Sequence, residues 1–277
     1  MSELNIFNTL SEFISLRING VNEVTHSADW FESRKHPDYD LWFIAAGEIQ
    51  LQIKDTIHNA KAGELVLFSP KVAYTATAKE NGCKIVYTHF DFGISEQLHI
   101  LDNFHLSGIL SGQLVEEELL GFLNVYDDYR IKKPLSSLRL KAALTFLLAK
   151  IIEHYDTGVY YGLFSQHFSN QANTGTLDTL KPVFDYIQNN VNSPIRISDL
   201  ANITGVSEKY FIAYFKKLVG VTPGRYIYQI KMNQARDMLY SKNYTIQEIA
   251  EQLGYPDQFS FSKSFKKYFK VSPSKFH

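Results

Sequence analysis

Cysteine is nearly absent: Cys83 is the only one in 277 residues. One thiol excludes an intramolecular disulfide and a cysteine-based zinc site, and reads as a small half-buried side chain. Long apolar runs are missing too. The nearest, Ala142 to Ala149, is broken by Thr145 and flanked by Lys141 and Lys150, well short of the roughly 18 apolar residues a membrane span needs. The stretch from Met1 to Phe13 has neither a basic start nor an apolar core, so no secretory signal is expected and a cytoplasmic location follows. Gly-x-Ser-x-Gly, P-loop and dinucleotide fingerprints are all lacking. Nine histidines occur without one His-x-His pair, whereas metal-binding barrels need clustered histidines and a carboxylate. No catalytic residue, cofactor or metal is therefore expected.

What is present suits a chain of about two globular domains, 45% hydrophobic and 21% charged. The net charge of −1 is unevenly spread. From Thr176 to His277 there are 14 basic and 8 acidic residues, a balance of +6, which leaves −7 on the rest. A basic module on an acidic body is the electrostatic footprint of a DNA-binding domain joined to something else.

The fold class read from the pattern is α+β. Residues 1–112 hold short strands from about Ser15 to Phe92: "YDLWFI", a turn at "AAGE", the alternating "IQLQI", a turn at "KDTIHN", then "AGELVLFSP" and the late "KIVYTHFDF". That spacing suggests a small β-barrel or sandwich. Residues 113–167 read as helical. There "LSSLRLKAALTFLLAKIIEHY" sets Leu140, Leu144, Leu147, Leu148, Ile151 and Tyr155 on one apolar face. Leu144, Leu148 and Ile151 are candidates for a homodimer surface, or equally for packing against the barrel. Residues 168–176, "FSNQANTGT", read as a linker, and 177–277 as wholly helical.

The last region contains a near-repeat. "DLANITGVSEKYFIAYFKKLVGVTPGRY" begins at Asp199 and "EIAEQLGYPDQFSFSKSFKKYFKVSPSKF" at Glu248. Ala201 and Gly205 match Ala250 and Gly254 at an offset of 49, and Phe211, Phe215-Lys216-Lys217 and Pro223 match Phe261, Phe265-Lys266-Lys267 and Pro273 at 50. Each copy reads as helix, tight turn, helix. In the first, Ser198 and Ser207 are expected N-caps, Gly205 supplies a left-handed turn residue, and Phe211, Phe215 and Leu218 form the buried stripe. In the second, Thr245 and Glu248 match a capping box, Ile249, Ala250 and Leu253 face inward, Gly254 turns the chain, and Phe261, Phe265 and Tyr268 or Phe269 make the stripe. Between the copies, Thr222-Pro223 should start a helix running to about Tyr240. Such a strut could hold two recognition helices in successive major grooves.

The outward positions of the second helices are Glu208, Lys209, Ile212, Ala213 and Lys216, then Asp257, Gln258, Ser260, Lys263 and Lys266. Gln258 suits an adenine edge and Lys263 a guanine edge. Apolar Ile212 and Ala213 could touch thymine methyls. Lys216, Lys217, Lys266 and Lys267, with Ser207 and Thr245 at helix starts, are placed for phosphates.

From Ser198 to Phe276 the chain resembles the AraC/XylS family of transcription regulators, on "GVSEKYFIAYFKKLVGVTPGRY" and "IQEIAEQLGYPDQFSFSKSFKKYFKVSPSKF". The resemblance implies base contacts at Lys209, Ile212, Ala213, Gln258, Phe259, Ser260 and Lys263. Two positions depart from the family pattern: Lys270 stands where glycine is usual, and Pro256 where a small polar or acidic residue is usual. "HPDYDLWFIAAGEIQLQI", "KAGELVLFSPKVAYTA" and "VYTHFDF" resemble the family's cupin-type effector barrel, which implies effector contacts at Tyr74, Tyr87 and His89, with His36 and Trp42 as further candidates. The implied function is a transcription activator that binds double-stranded DNA, recruits RNA polymerase and answers to a small molecule, a sugar or related metabolite. The alternative is a ligand-independent DNA-binding adaptor with a vestigial barrel.

Overall fold

The computed structural model of the chain describes residues 5–70, 72–94, 101, 106–155 and 177–276. The linker expected at 168–176 and the end of the helical region, 156–167, lie outside them. The chain divides into two compact units, Met1–Gln171 and Ala172–His277.

The first unit opens with the short helix α1 (Asn5–Leu10). The strands β1 (Ile14–His26), β2 (Phe31–Lys35), β3 (Tyr39–Ile53), β4 (Thr56–Lys61), β5 (Glu64–Phe68), β6 (Ala73–Ile94) and β7 (Gly108–Ser111) follow. Two long strands organise the sheet. The first half of β3 and the second half of β6 belong to the order β1-β6-β3-β5-β7, while their other halves carry β2 and β4 at the edges. One core receives side chains from both portions, among them Trp42, Ile44 and Ile85 from one and Leu51, Ala60 and Ala76 from the other. The sheet is therefore rolled over on itself, the barrel-like arrangement that the alternating strands suggest.

One of the expected turns is not a strand end, and another is tighter than its sequence suggests. "AAGE" lies inside β3, which passes through it by bulges between Ile44 and Ala46 and between Gly47 and Ile49. The bend requires glycine: Gly47 has φ +79°, and a Cβ there would lie 2.1 Å from the Gly82 carbonyl oxygen. Backbones of adjacent strands meet at this point, so the chain bends without stopping. "KDTIHN" turns only at Lys54-Asp55, where Lys54 takes φ 55°, and Thr56 already pairs with Ile53. Similarly, "KIVYTHFDF" is the far end of the longer strand β6.

Two helices complete this unit, α2 (Glu116–Arg130) and α3 (Ser136–Tyr155). The latter packs along α2 and touches β1. Leu140, Leu144, Leu147, Leu148 and Ile151 are all buried. This corrects the dimer expectation for Leu144, Leu148 and Ile151. Each is at most 1% exposed within a single chain, so their apolar surface is already spent on intramolecular packing. Among the described residues, the large apolar side chains that α3 leaves exposed are Leu138 and Phe146.

The second unit is helical: α4 (Lys181–Asn189), α5 (Ile197–Thr204), α6 (Glu208–Val219), α7 (Pro223–Ser241), α8 (Ile246–Gln252) and α9 (Gln258–Phe269). Its core has two halves that share α7. Phe184, Phe215 and Tyr226 form a ring trio with centroids 5.5 to 5.7 Å apart. Farther along α7, Met232, Ala235 and Met238 pack with Ile249, Ala250, Leu253, Phe261 and Phe265. Tyr268 and Phe269 both border that second half.

Candidate nucleic-acid interface and effector site

The two repeats fold as two helix-turn-helix units. In the first, α5 ends at Gly205 with φ 70°, and Ser207 caps α6 by accepting from the Tyr210 N–H at 3.4 Å. Ser198 is not an N-cap. The helix already begins at Ile197, and the Asp199 N–H bonds the Arg196 carbonyl at 3.1 Å, so the preceding residue closes the turn through its backbone. Phe211, Phe215 and Leu218 are buried as their spacing requires. Lys209, Ala213, Lys216 and Lys217 face solvent, while Ile212 is half-buried.

The second unit begins with the complete capping box. The Glu248 N–H donates to Thr245 Oγ1 at 3.2 Å, and the Thr245 N–H to Glu248 Oε2 at 2.7 Å. Its turn holds Gly254 at φ +67°, where a Cβ would meet Ser193 and Pro194 backbone atoms at under 3 Å. Asp257 is exposed but its carboxylate is engaged. It accepts from the N–H groups of Phe259 and Ser260 at 2.8 and 2.7 Å, and from the Ser260 hydroxyl at 3.0 Å. These bonds, chiefly those from Ser260, hold Asp257 below the usual carboxylate range. Gln258, Phe259, Lys263, Lys266 and Lys267 remain free to meet a ligand surface, and Ser260 is half-buried behind its cap.

Exposed rings add to both faces. Phe259 is 76% exposed in the first turn of α9. Tyr210, exposed on α6, stacks on Tyr214 with planes 15° apart, and the Tyr214 hydroxyl bonds that of Thr179. Sequence reasoning passed over Tyr210 and Tyr214; their signal was spacing, since they sit one turn apart beside Lys209 and Ala213.

Lys231 was also missed. It lies in the middle of α7, buried, with Nζ donating to the Leu253 carbonyl at 2.6 Å and the Ser193 carbonyl at 2.9 Å. The ammonium thus ties the turn of the second unit to the segment between α4 and α5. Burial lowers its pKa from the usual lysine value.

The five expected effector residues converge in the rolled sheet. Asp40 and Trp42 on β3 pair with His89 and Tyr87 on β6, so all four share a face. His36 Nε2 lies 3.1 Å from Tyr74 Oη, its ring 4.4 Å from that of His89, and Tyr87 is 5.4 Å from His89. Trp42 and Tyr74 are buried core residues, edge-on at 5.3 Å. His36, Tyr87 and His89 are half-buried. The sequence reading overlooked the acidic members. Asp40 is 1% exposed, and its Oδ2 accepts from Trp42 Nε1 at 2.7 Å. Asp38 accepts from the Asn19 amide at 2.8 Å, and Glu32 from Tyr74 Oη at 2.9 Å. A carboxylate inside the apolar "YDLWFI" was the available sign. Burial raises the Asp40 pKa well above its usual value, and burial followed by the His89 charge lowers that of His36.

Among the described residues, no helix is long and apolar enough to cross a membrane. Two family profiles match the chain: a helix-turn-helix domain over residues 200–277 and an AraC-like ligand binding domain over 22–141. The Msm operon regulatory protein of Streptococcus mutans is 25% identical across 99% of this chain and 98% of its own length. The lactose operon transcription activator of Staphylococcus xylosus is 31% identical over 41% of this chain and 40% of its own length. The multiple antibiotic resistance protein MarA of Escherichia coli is 31% identical over 39% of this chain and 84% of its own length.

Proposed function

Because the chain belongs to the AraC family of DNA-binding transcription regulators, we propose that it reads a two-part DNA site and is switched by a carbohydrate or related metabolite bound in the rolled sheet. The observation that carries this reading is the pair of helix-turn-helix units sharing one strut. The 19 residues of α7 give a strut about 28 Å long, matched to successive major grooves about 34 Å apart. Base contacts are assigned to Lys209, Ile212, Ala213, Gln258, Phe259, Ser260 and Lys263. Phosphate contacts fall to Ser207, Thr245, Lys216, Lys217, Lys266 and Lys267. Base reading is the stronger in the second unit, where Gln258 and Lys263 offer hydrogen bonds; in the first, half-buried Ile212 and Ala213 offer only apolar contact.

The effector site is His36, Trp42, Tyr74, Tyr87 and His89, where rings face half-buried polar atoms, a combination suited to a sugar's faces and hydroxyls. A relative named as a lactose operon transcription activator supports a carbohydrate signal and activation. The protein then acts in the cytoplasm by binding, not catalysis. The ligand shifts the population able to hold both half-sites and recruit RNA polymerase. A homodimer would use exposed Leu138 and Phe146 and not the buried side of α3.

Selection of bound sequences from random duplexes at near-physiological salt tests the reading, using the full chain, Gln258→Ala and Lys263→Ala. The expected result is a two-part motif spaced by about one helical turn, with altered base preference in each variant. Salt-dependent binding without enrichment would leave a non-specific adaptor and refute it.

A further inference from the structure

His36, Asp40 and His89 present one ligand atom each, all within 4.8 Å of one another. Their existing hydrogen bonds do not account for this gathering. Trp42 satisfies Asp40 Oδ2, but Asp40 Oδ1 and His89 Nδ1 are buried, 3.9 Å apart, and have no hydrogen-bond partner among the described residues. That gap is too long for a hydrogen bond. A carboxylate at 1% exposure is expensive to keep without a compensating charge. His36 Nε2 stands 3.8 Å from Asp40 Oδ2. Nitrogen and oxygen ligands about 2.1 Å from a tetrahedral metal lie about 3.4 Å from one another, so small rotations of the two half-buried rings close the site.

We propose that these three residues bind one divalent first-row transition-metal ion. Two imidazoles and one carboxylate suit zinc, cobalt, nickel or iron(II), not calcium or magnesium, which prefer oxygen-only sets. Trp42 fixes the carboxylate from behind, and Asp38, with Oδ1 3.4 Å from His89 Nδ1, adds negative charge beside the site. Tyr74 Oη already donates to Glu32, so its contact with His36 Nε2 is one in which the histidine donates. Metal binding at Nε2 replaces that contact, and the ring proton moves to Nδ1. The ring faces reach solvent through His36 and His89, whose side chains are 22% and 21% exposed. Sequence patterning could not reveal this group. No His-x-His is involved; His89 reaches Asp40 through strand pairing and His36 through the turn before β3. The ion would share His36 and His89 with the proposed effector site but needs no sugar to bind.

The test is titration of the untagged, chelator-stripped full chain with Co²⁺, followed by visible absorption, with Mg²⁺ and Ca²⁺ as controls. One equivalent should bind saturably at micromolar concentration, with new d–d bands that Zn²⁺ abolishes. His36→Gln and His89→Ala should each weaken binding more than tenfold. Asp40→Asn, which keeps an acceptor for Trp42, should do the same with an unchanged circular dichroism spectrum. Absence of saturable Co²⁺ binding, equal binding by Mg²⁺, or unchanged affinity in both histidine variants would overturn the proposal.

Discussion

Replacing Lys231 with methionine keeps the length of the side chain and removes its charge. Two carbonyls, Leu253 and Ser193, then lose their donor. Each charge-assisted hydrogen bond is worth about 1.5–3 kcal/mol. Relief of the buried ammonium's desolvation offsets part of this, leaving a net loss of about 3 kcal/mol. For a unit of about 100 residues each kcal/mol moves the melting temperature by about 4–8 °C, so a drop of roughly 12–24 °C follows. Both tryptophans, Trp30 and Trp42, lie in the first unit. Tryptophan fluorescence therefore reports that unit, while circular dichroism also follows the helices of the second. Heating the full-length variant should show an early loss of helical signal with tryptophan emission unchanged. The pH dependence has a definite sign. The folded pKa of Lys231 is lowered from 10.5, so between the two values the unfolded chain holds more protons and stability rises with pH. Lys231→Met removes that rise. A melting point within about 2 °C of the parent would refute the reasoning, since even a 1 kcal/mol loss moves it by more.

Lys270 closes α9 in the left-handed region at φ 65°, where the first unit has Gly220 at φ 78°. Lys270→Gly should raise stability by about 1 kcal/mol, seen as a higher urea midpoint with the same m-value. Gly47→Ala should have the opposite effect and collapse the rolled sheet, because its Cβ would meet the Gly82 carbonyl oxygen at 2.1 Å; loss of cooperative tryptophan unfolding checks it, and a normal transition would contradict the close approach. Asp257→Ala should lower the melting temperature at neutral pH. The folded pKa of Asp257 lies below 3.8, so its contribution is full above that value, fades as pH falls through the folded pKa, and the gap between variant and parent should narrow accordingly in melts taken from pH 6 downward.

The helices were legible because their signals are local. The capping box at Thr245 and Glu248, Thr222-Pro223 at the start of α7, and the Phe211-Phe215 and Phe261-Phe265 stripes each depend on residues within one or two turns. The repeat at an offset of about 50 then doubled the evidence for each motif. Strand ends were less legible. Glycine at Gly47 resembles a turn, yet bends β3 because Gly82 approaches from a strand far along the chain. The five effector candidates do meet, but the acidic residues between them, Asp38 and Asp40, were overlooked. Their meaning depends on register, not on neighbours in sequence.

The amino-acid order alone therefore determined which segments are helical, where they are capped and that two matched units with basic second helices exist, since periodicity and capping act over a few residues. Only the tertiary structure decided three things. It buried Leu144, Leu148 and Ile151 within the chain, where periodicity alone left open what covers the apolar face. It turned Lys231 inward onto two carbonyls from separate segments. It also set His36, Asp40 and His89 side by side, because antiparallel pairing of β3 with β6 joins residues that lie 49 positions apart in the chain.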